Sequence, residues 1–188
     1  MAQPDDNRSA LLLMDLQHGI VEKYADPEYL LRIQRTIKAA RQAKLPVIWV
    51  AVQFRAGYPE VSPRNQSFST VRNTGRFIEG DKESEIHSAL GPATGDVVVT
   101  KRRVGAFAGS DLDVVLRSAA IDTLVLAGIA TSGVVLSTLR LAADMDYRLI
   151  VLEDGCADLD PEVHRVLTQK VFPRQARVQS IDEWIASM

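Results

Sequence analysis

The sequence predicts a three-layer α/β/α sandwich around a mostly parallel, six-stranded sheet of Rossmann-like type. Three observations carry that expectation. Short apolar runs alternate with amphipathic segments along most of the chain, the runs are continuously apolar rather than alternating, and most links between them are short. Continuous apolar runs suit parallel strands covered on both faces, and repeated strand and helix units build such a sheet.

The elements follow in order. ALLLMDL (residues 10–16), LPVIWVAVQ (45–53), DVVVTK (96–101), DTLVLAGI (122–129), YRLIVLED (147–154) and ARVQS (176–180) read as strands. PEYLLRIQRTIKAARQAK, LDVVLRSAA, VVLSTLRLAADM and PEVHRVLTQKVF carry helical apolar spacing, and IDEWIASM closes the chain as a short helix. Residues 54–95 are the exception, rich in Gly, Pro, Ser and Asn with weak periodicity only around Ser84 to Leu90. A connection of that length reads either as a lid or binding loop, or as a surface excursion.

The 188 residues, 46% hydrophobic, suit one domain with an ample core. A formal net charge of -2 gives no electrostatic reason to expect nucleic acid or an anionic membrane as partner; the basic run TKRRVG, with Arg102 and Arg103, has no aromatic platforms beside it and reads as solvent-facing. A small-molecule substrate fits better. Cys156 is the sole cysteine, which excludes an intrachain disulfide and any zinc site built on several thiolates. With no signal-peptide pattern and no apolar run near ~20 residues, a cytoplasmic location is expected.

In open parallel sheets the ligand lies beyond the carboxyl ends of the strands. Three polar features fall there: Asp15 after the first apolar run, Lys101 after VVVT, and Thr131 with Ser132 opening the helix after VLAGI. A carboxylate, an ammonium and a helix start would converge from distant positions. The bland reading of Asp15 and Lys101 is a structural ion pair, but such pairs contribute little net stability when buried.

These motifs, LLLMDLQ, TKRRVGAFAGSDLD and GIATSGVVLSTLRLAADMDY followed by EDGCADLDPEVH, in this order and spacing, resemble the isochorismatase-like hydrolases, or cysteine hydrolase superfamily, over nearly the whole chain. The resemblance implies an Asp, Lys and Cys trio in which Cys forms an acyl-enzyme and backbone N–H groups at the helix start hold the oxyanion. It also implies a cis peptide between Ile129 and Ala130, and assembly as a homodimer or homotetramer. In the family the turn reads Gly, two residues, Thr, two residues, Cys. Gly128 and Thr131 match that pattern, and the Cys position is Val134.

Valine has no lone pair, so the covalent route cannot run through residue 134. The isochorismatases proper lack that cysteine and hydrolyse a vinyl ether by protonation. By that resemblance Asp15 is the general acid, and Lys101 orients a substrate carboxylate or positions water. A neighbouring Lys lowers a carboxyl pKa, so burial must outweigh it if Asp15 is to hold a proton. A family member that has lost catalysis and serves as a binder or scaffold is the rival reading, and an amidase using Cys156 a more distant one.

The remaining candidates line the same expected pocket. Ala130, Thr131, Ser132 and Gly133 form the turn, with Ser132 expected to cap the following helix through its hydroxyl. Phe54 and Phe107 are candidate apolar walls, and Gln17 either orients Asp15 or satisfies loop backbone. Arg55 or Arg64 would grip an acidic substrate, with Tyr58 and Asn65 nearby. Cys156 reads as a possible pocket thiol or, more plainly, as a small filler in a turn. His18, His87 and His164 are widely spaced, and neither metal nor cofactor is expected.

Overall fold

The computed structural model describes residues 8–24 and 26–188. Its centre is a six-stranded sheet, parallel throughout: β1 (Ser9–Met14), β2 (Val47–Val52), β3 (Val97–Lys101), β4 (Thr123–Ile129), β5 (Arg148–Ala157) and β6 (Arg177–Gln179), in the order β3-β2-β1-β4-β5-β6. The helices are α1 (His18–Tyr24), α2 (Tyr29–Gln42), α3 (Gln66–Thr74), α4 (Leu112–Ser118), α5 (Leu136–Asp144), α6 (Pro161–Val166) and α7 (Ile181–Ala186).

The pleat explains the unbroken apolar runs. Leu12, Met14, Leu124 and Leu126 face the layer that holds Leu112 and Leu116 of α4 and Leu139 and Ala142 of α5. Leu11, Leu13, Val125 and Ala127 face the opposite layer, with Ile33 and Ile37 of α2 and Ile181 and Trp184 of α7. Both faces of β1, β2 and β4 are therefore core. α7 is held at its start by a capping box, in which Ser180 accepts the Glu183 N–H while the Glu183 side chain reaches back.

Two local departures from the sequence expectations matter for function. Residues 54–95 are more than a loop: α3 lies inside them, with the Asn65 side chain capping its start and Gly75 in a left-handed conformation at its end. The weak periodicity near Ser84 is no α-helix; a short 3-10 turn at Lys82–Ser84 leads into an antiparallel bridge between Gln17 and Ile86. A third apolar cluster of Val52, Phe54, Tyr58, Val61, Phe68 and Phe77 anchors this excursion to the sheet. In addition, β5 runs on to Ala157, so Cys156 sits in a strand opposite Gly128 rather than in a turn.

Strand order reverses on the two sides of β1, since β2 and β3 lie on one side and β4 to β6 on the other. This is the topological switch point where doubly wound sheets open a crevice at their carboxyl edge. Asp15, Ile129 and Lys101 all end strands at that edge.

Candidate active site

Asp15 leaves β1 with a left-handed backbone, φ 58°, and donates its N–H to the Val50 carbonyl at 2.8 Å. Lys101 ends β3 two strands away, and its stem spans the end of β2 to put Nζ 2.9 Å from Asp15 Oδ2. The ammonium also donates to the Arg103 carbonyl at 3.0 Å. The two side chains are only 8% and 2% exposed. Asp15 Oδ1 is buried and has no hydrogen-bond partner. Burial raises the Asp15 carboxyl above its ordinary range, outweighing the opposing pull of Lys101 and of the Val52 backbone. One oxygen is thus tethered, and the other is left to hold or receive a proton.

β4 closes the site from the other side. At Gly128, φ is 156° and an added Cβ would lie 2.4 Å from the Met14 carbonyl oxygen; only glycine lets β4 approach β1 directly beneath Asp15. The Ile129–Ala130 peptide is cis. A π-helical turn, Thr131–Val135, then leads into α5, with the Gly133 and Val135 N–H groups donating to the Ala130 carbonyl at 3.0 and 3.3 Å.

Asp15, Lys101, Ala130, Gly133 and Val134 line one cavity of about 420 Å³. Its outer walls are residues the sequence did not single out: Ile20, Lys23 and Tyr24 of α1, Phe68 and Val71 of α3, and Arg76, Phe77 and Val104. Arg76 holds two of these walls together. It donates to Glu83 at 2.8 Å and to the Gly19 carbonyl at 2.9 Å, and its guanidinium lies 4.7 Å from the Phe77 ring centre. The signal for α3 was present in the sequence as Asn65 and Gly75, a cap residue and a helix-ending glycine ten positions apart.

Other expected pocket residues sit elsewhere. Gln17 is fully buried and clamps backbone, donating to the Val52 and Ser84 carbonyls and accepting the Val52 N–H. Phe54 packs behind Phe68, and Phe107 packs toward Tyr147 in the core. Arg55 is paired with Glu60 at the edge of a separate cavity with Arg102 and Arg103. Arg102 is no solvated charge: Glu60 and Glu79 bind it. Of the other excursion residues, Tyr58 donates its hydroxyl to the Arg76 carbonyl, Asn65 caps α3 and Arg64 is exposed.

The turn also departs from expectation in detail. Thr131 is buried, its hydroxyl 2.9 Å from His164 Nδ1. Ser132 is exposed and its hydroxyl caps nothing; its backbone N–H instead donates to Asp158 at 2.7 Å. Cys156 lies on a different cavity, among Glu153, Asp158 and His164, and burial pushes its thiol up to about 12. A thiol in that state is a poor nucleophile.

His18 and His87 were expected apart, yet the Gln17–Ile86 bridge brings their rings to 4.4 Å between centres, with Glu22 Oε1 3.4 Å from His18 Nδ1. Burial, then the neighbouring His18, lower the His87 pKa. No helix among the described residues is long and apolar enough to cross a membrane.

Comparison with known proteins agrees with this architecture. The isochorismatase domain profile matches residues 9–183. The isochorismatase family protein YecD of Escherichia coli O157:H7 is 32% identical over 187 residues, covering 97% of each chain. The ureidoacrylate amidohydrolase RutB of Variovorax paradoxus strain S110 is 31% identical, over 95% of this chain and 81% of that protein. Among solved structures, N-carbamoylsarcosine amidase from Thermoplasma acidophilum superposes with a TM-score of 0.73 at 30% identity, over 93% of this chain and 96% of that one. With its strand order, its switch-point cavity and this match over nearly its whole length, the chain belongs to the isochorismatase family.

Proposed function

We propose that this chain hydrolyses a small organic molecule with Asp15 as the acid–base group and water as the nucleophile, with no cysteine acyl-enzyme. The observation that carries the reading is the state of Asp15: Oδ2 is bound to Lys101, while Oδ1 is unpartnered, buried and on a carboxyl whose pKa is raised. A protonated Oδ1 donates to the substrate, water adds to the resulting cation, and the water's surplus proton returns to the carboxylate. Lys101, 2.9 Å from Oδ2, stabilises the carboxylate left by proton transfer. Val134, at the position of the family's cysteine, contributes a methyl-bearing wall and no lone pair.

The cavity volume of about 420 Å³ suits a ligand of metabolite size. Its walls are mainly apolar, with the Lys23 ammonium at α1 available to an acidic substituent. The names of two relatives, a ureidoacrylate amidohydrolase and an N-carbamoylsarcosine amidase, support ureido or amide bonds as substrates beside vinyl ethers. For a carbonyl substrate the ionised fraction of Asp15 takes the proton from the attacking water and returns it to the leaving nitrogen.

The test is hydrolysis of a panel of vinyl ethers, ureido compounds and small amides by wild type and Asp15→Asn. Loss of ~10²-fold or more in turnover with ligand binding retained is expected. Turnover that survives Asp15→Asn would overturn the role of Asp15. Binding without turnover in the wild type would leave a binding protein built on this site.

A further inference from the structure

We infer that His18, Glu22 and His87 form a binding site for a divalent transition-metal ion, outside the Asp15 cavity but adjoining it across Gly19, Lys23 and Arg76. One ligand atom from each of the three lies within 4.8 Å of the others, the spacing a single ion needs to reach all three. Two imidazoles and one carboxylate are a donor set that favours zinc, nickel, cobalt or copper over calcium or magnesium, which take mostly oxygen.

The scaffold fixes this arrangement. His18 and Glu22 are one helical turn apart on α1 and face the same way. His87 is brought to them by backbone bonds on both sides of the Gln17–Ile86 bridge: His18 N–H donates to the Glu85 carbonyl at 3.1 Å, and His87 N–H to the Leu16 carbonyl at 2.9 Å. The backbone positions of the three residues are therefore fixed by hydrogen-bonded elements, and side-chain rotation of the two rings and of Glu22 brings the ligand atoms onto an ion.

The rings give up little when they bind. His18 Nε2 accepts the Ser88 N–H at 3.2 Å, and His87 Nδ1 accepts the Ala89 N–H at 3.3 Å. Both bonds are long and thus weak. A neutral imidazole that ligates through one nitrogen carries its proton on the other, so metal binding gives up these two weak bonds in exchange for the metal–nitrogen bonds. Three protein ligands leave the remaining positions to water, and the cavity of about 600 Å³ beside His18 and Glu22 provides the space. Arg76, on the same cavity, is neutralised by Glu83 at 2.8 Å and does not oppose a cation strongly.

The measurement is titration of the full chain with zinc or nickel chloride alone, followed by calorimetry. One equivalent is expected to bind, with at least ~10-fold weaker affinity in His87→Gln and in Glu22→Gln, and unchanged affinity in His164→Gln. Calcium and magnesium should give no saturable binding, and copper should bind more tightly than zinc. Glu22 is exposed on a helix surface, so its variant folds normally and keeps the test decisive if His87→Gln is unstable. Absence of one-to-one binding to the wild type, or wild-type affinity retained in both His87→Gln and Glu22→Gln, overturns the site. Neither result depends on turnover, so the Asp15 chemistry stands or falls separately.

Discussion

Replacing Lys101 with Met tests the electrostatics of the site more sharply than any activity assay. The variant keeps an apolar stem of similar length but removes the ammonium 2.9 Å from Asp15 Oδ2. Breaking a buried pair on one side costs about 3–5 kcal/mol when the remaining charge stays ionised. Asp15 has an escape, because its pKa is already raised by burial and rises further without Lys101. The native state of both proteins holds this proton more tightly than the unfolded chain, so each loses stability as pH rises through its native pKa. Between the two native pKa values the wild type has released the proton and Lys101→Met has not. The stability deficit of the variant therefore grows with pH by about 1.4 kcal/mol per unit across that interval and is constant on either side of it. Urea unfolding of both proteins from pH 5 to 9 measures it. A deficit that is constant, or that shrinks as pH rises, would refute an Asp15 carboxyl governed by burial against Lys101.

Three further outcomes follow from the same geometry. For a substrate that needs protonation, kcat/KM should fall as pH rises through the Asp15 pKa, and Lys101→Met should move that limb to higher pH; a limb that moves down would contradict the charge assignment. Gly128→Ala puts a Cβ 2.4 Å from the Met14 carbonyl oxygen, so a loss of about 3 kcal/mol in urea unfolding is expected, with reduced turnover because Met14 precedes Asp15; a loss under ~1 kcal/mol would mean β1 and β4 can separate freely. Ser180→Ala removes the capping box of α7 and should cost about 1 kcal/mol by thermal or urea unfolding without altering turnover.

The sheet was legible because its central strands are buried on both faces: runs such as LLLM and VIWVAV have no other comfortable place in a chain of this size. Asp15, Lys101 and the turn at residues 130–134 were equally legible, since each directly follows such a run. The far wall of the cavity was not. α3 buries only Phe68 among its residues, so it lacks the apolar stripe that marks a helix, and its two end signals were absorbed into a polar stretch. Arg76 and the His18–His87 pair depend on side-chain contacts across 57 and 69 positions that only the folded excursion creates. Gln17 was open between two roles in the sequence, and its three backbone bonds are the local reason the excursion stays registered on β2.

The placement of Cys156 gives the molecule an internal gauge of its own opening. As the chain's sole thiol, it is 5% exposed near the carboxyl end of β5 beside Gly128, and burial pushes its pKa up to about 12. In the closed state almost none of it is thiolate, and only a small part of the residue is open to the cavity it lines. Alkylation at neutral pH is therefore slow in the closed state and faster in molecules in which β5 has parted from β4, so the labelling rate responds to that separation. Ligands that bind beyond the strand ends, at the Asp15 cavity, will slow this rate according to their affinity. A native thiol thus serves as a binding assay for compounds whether or not the protein turns them over.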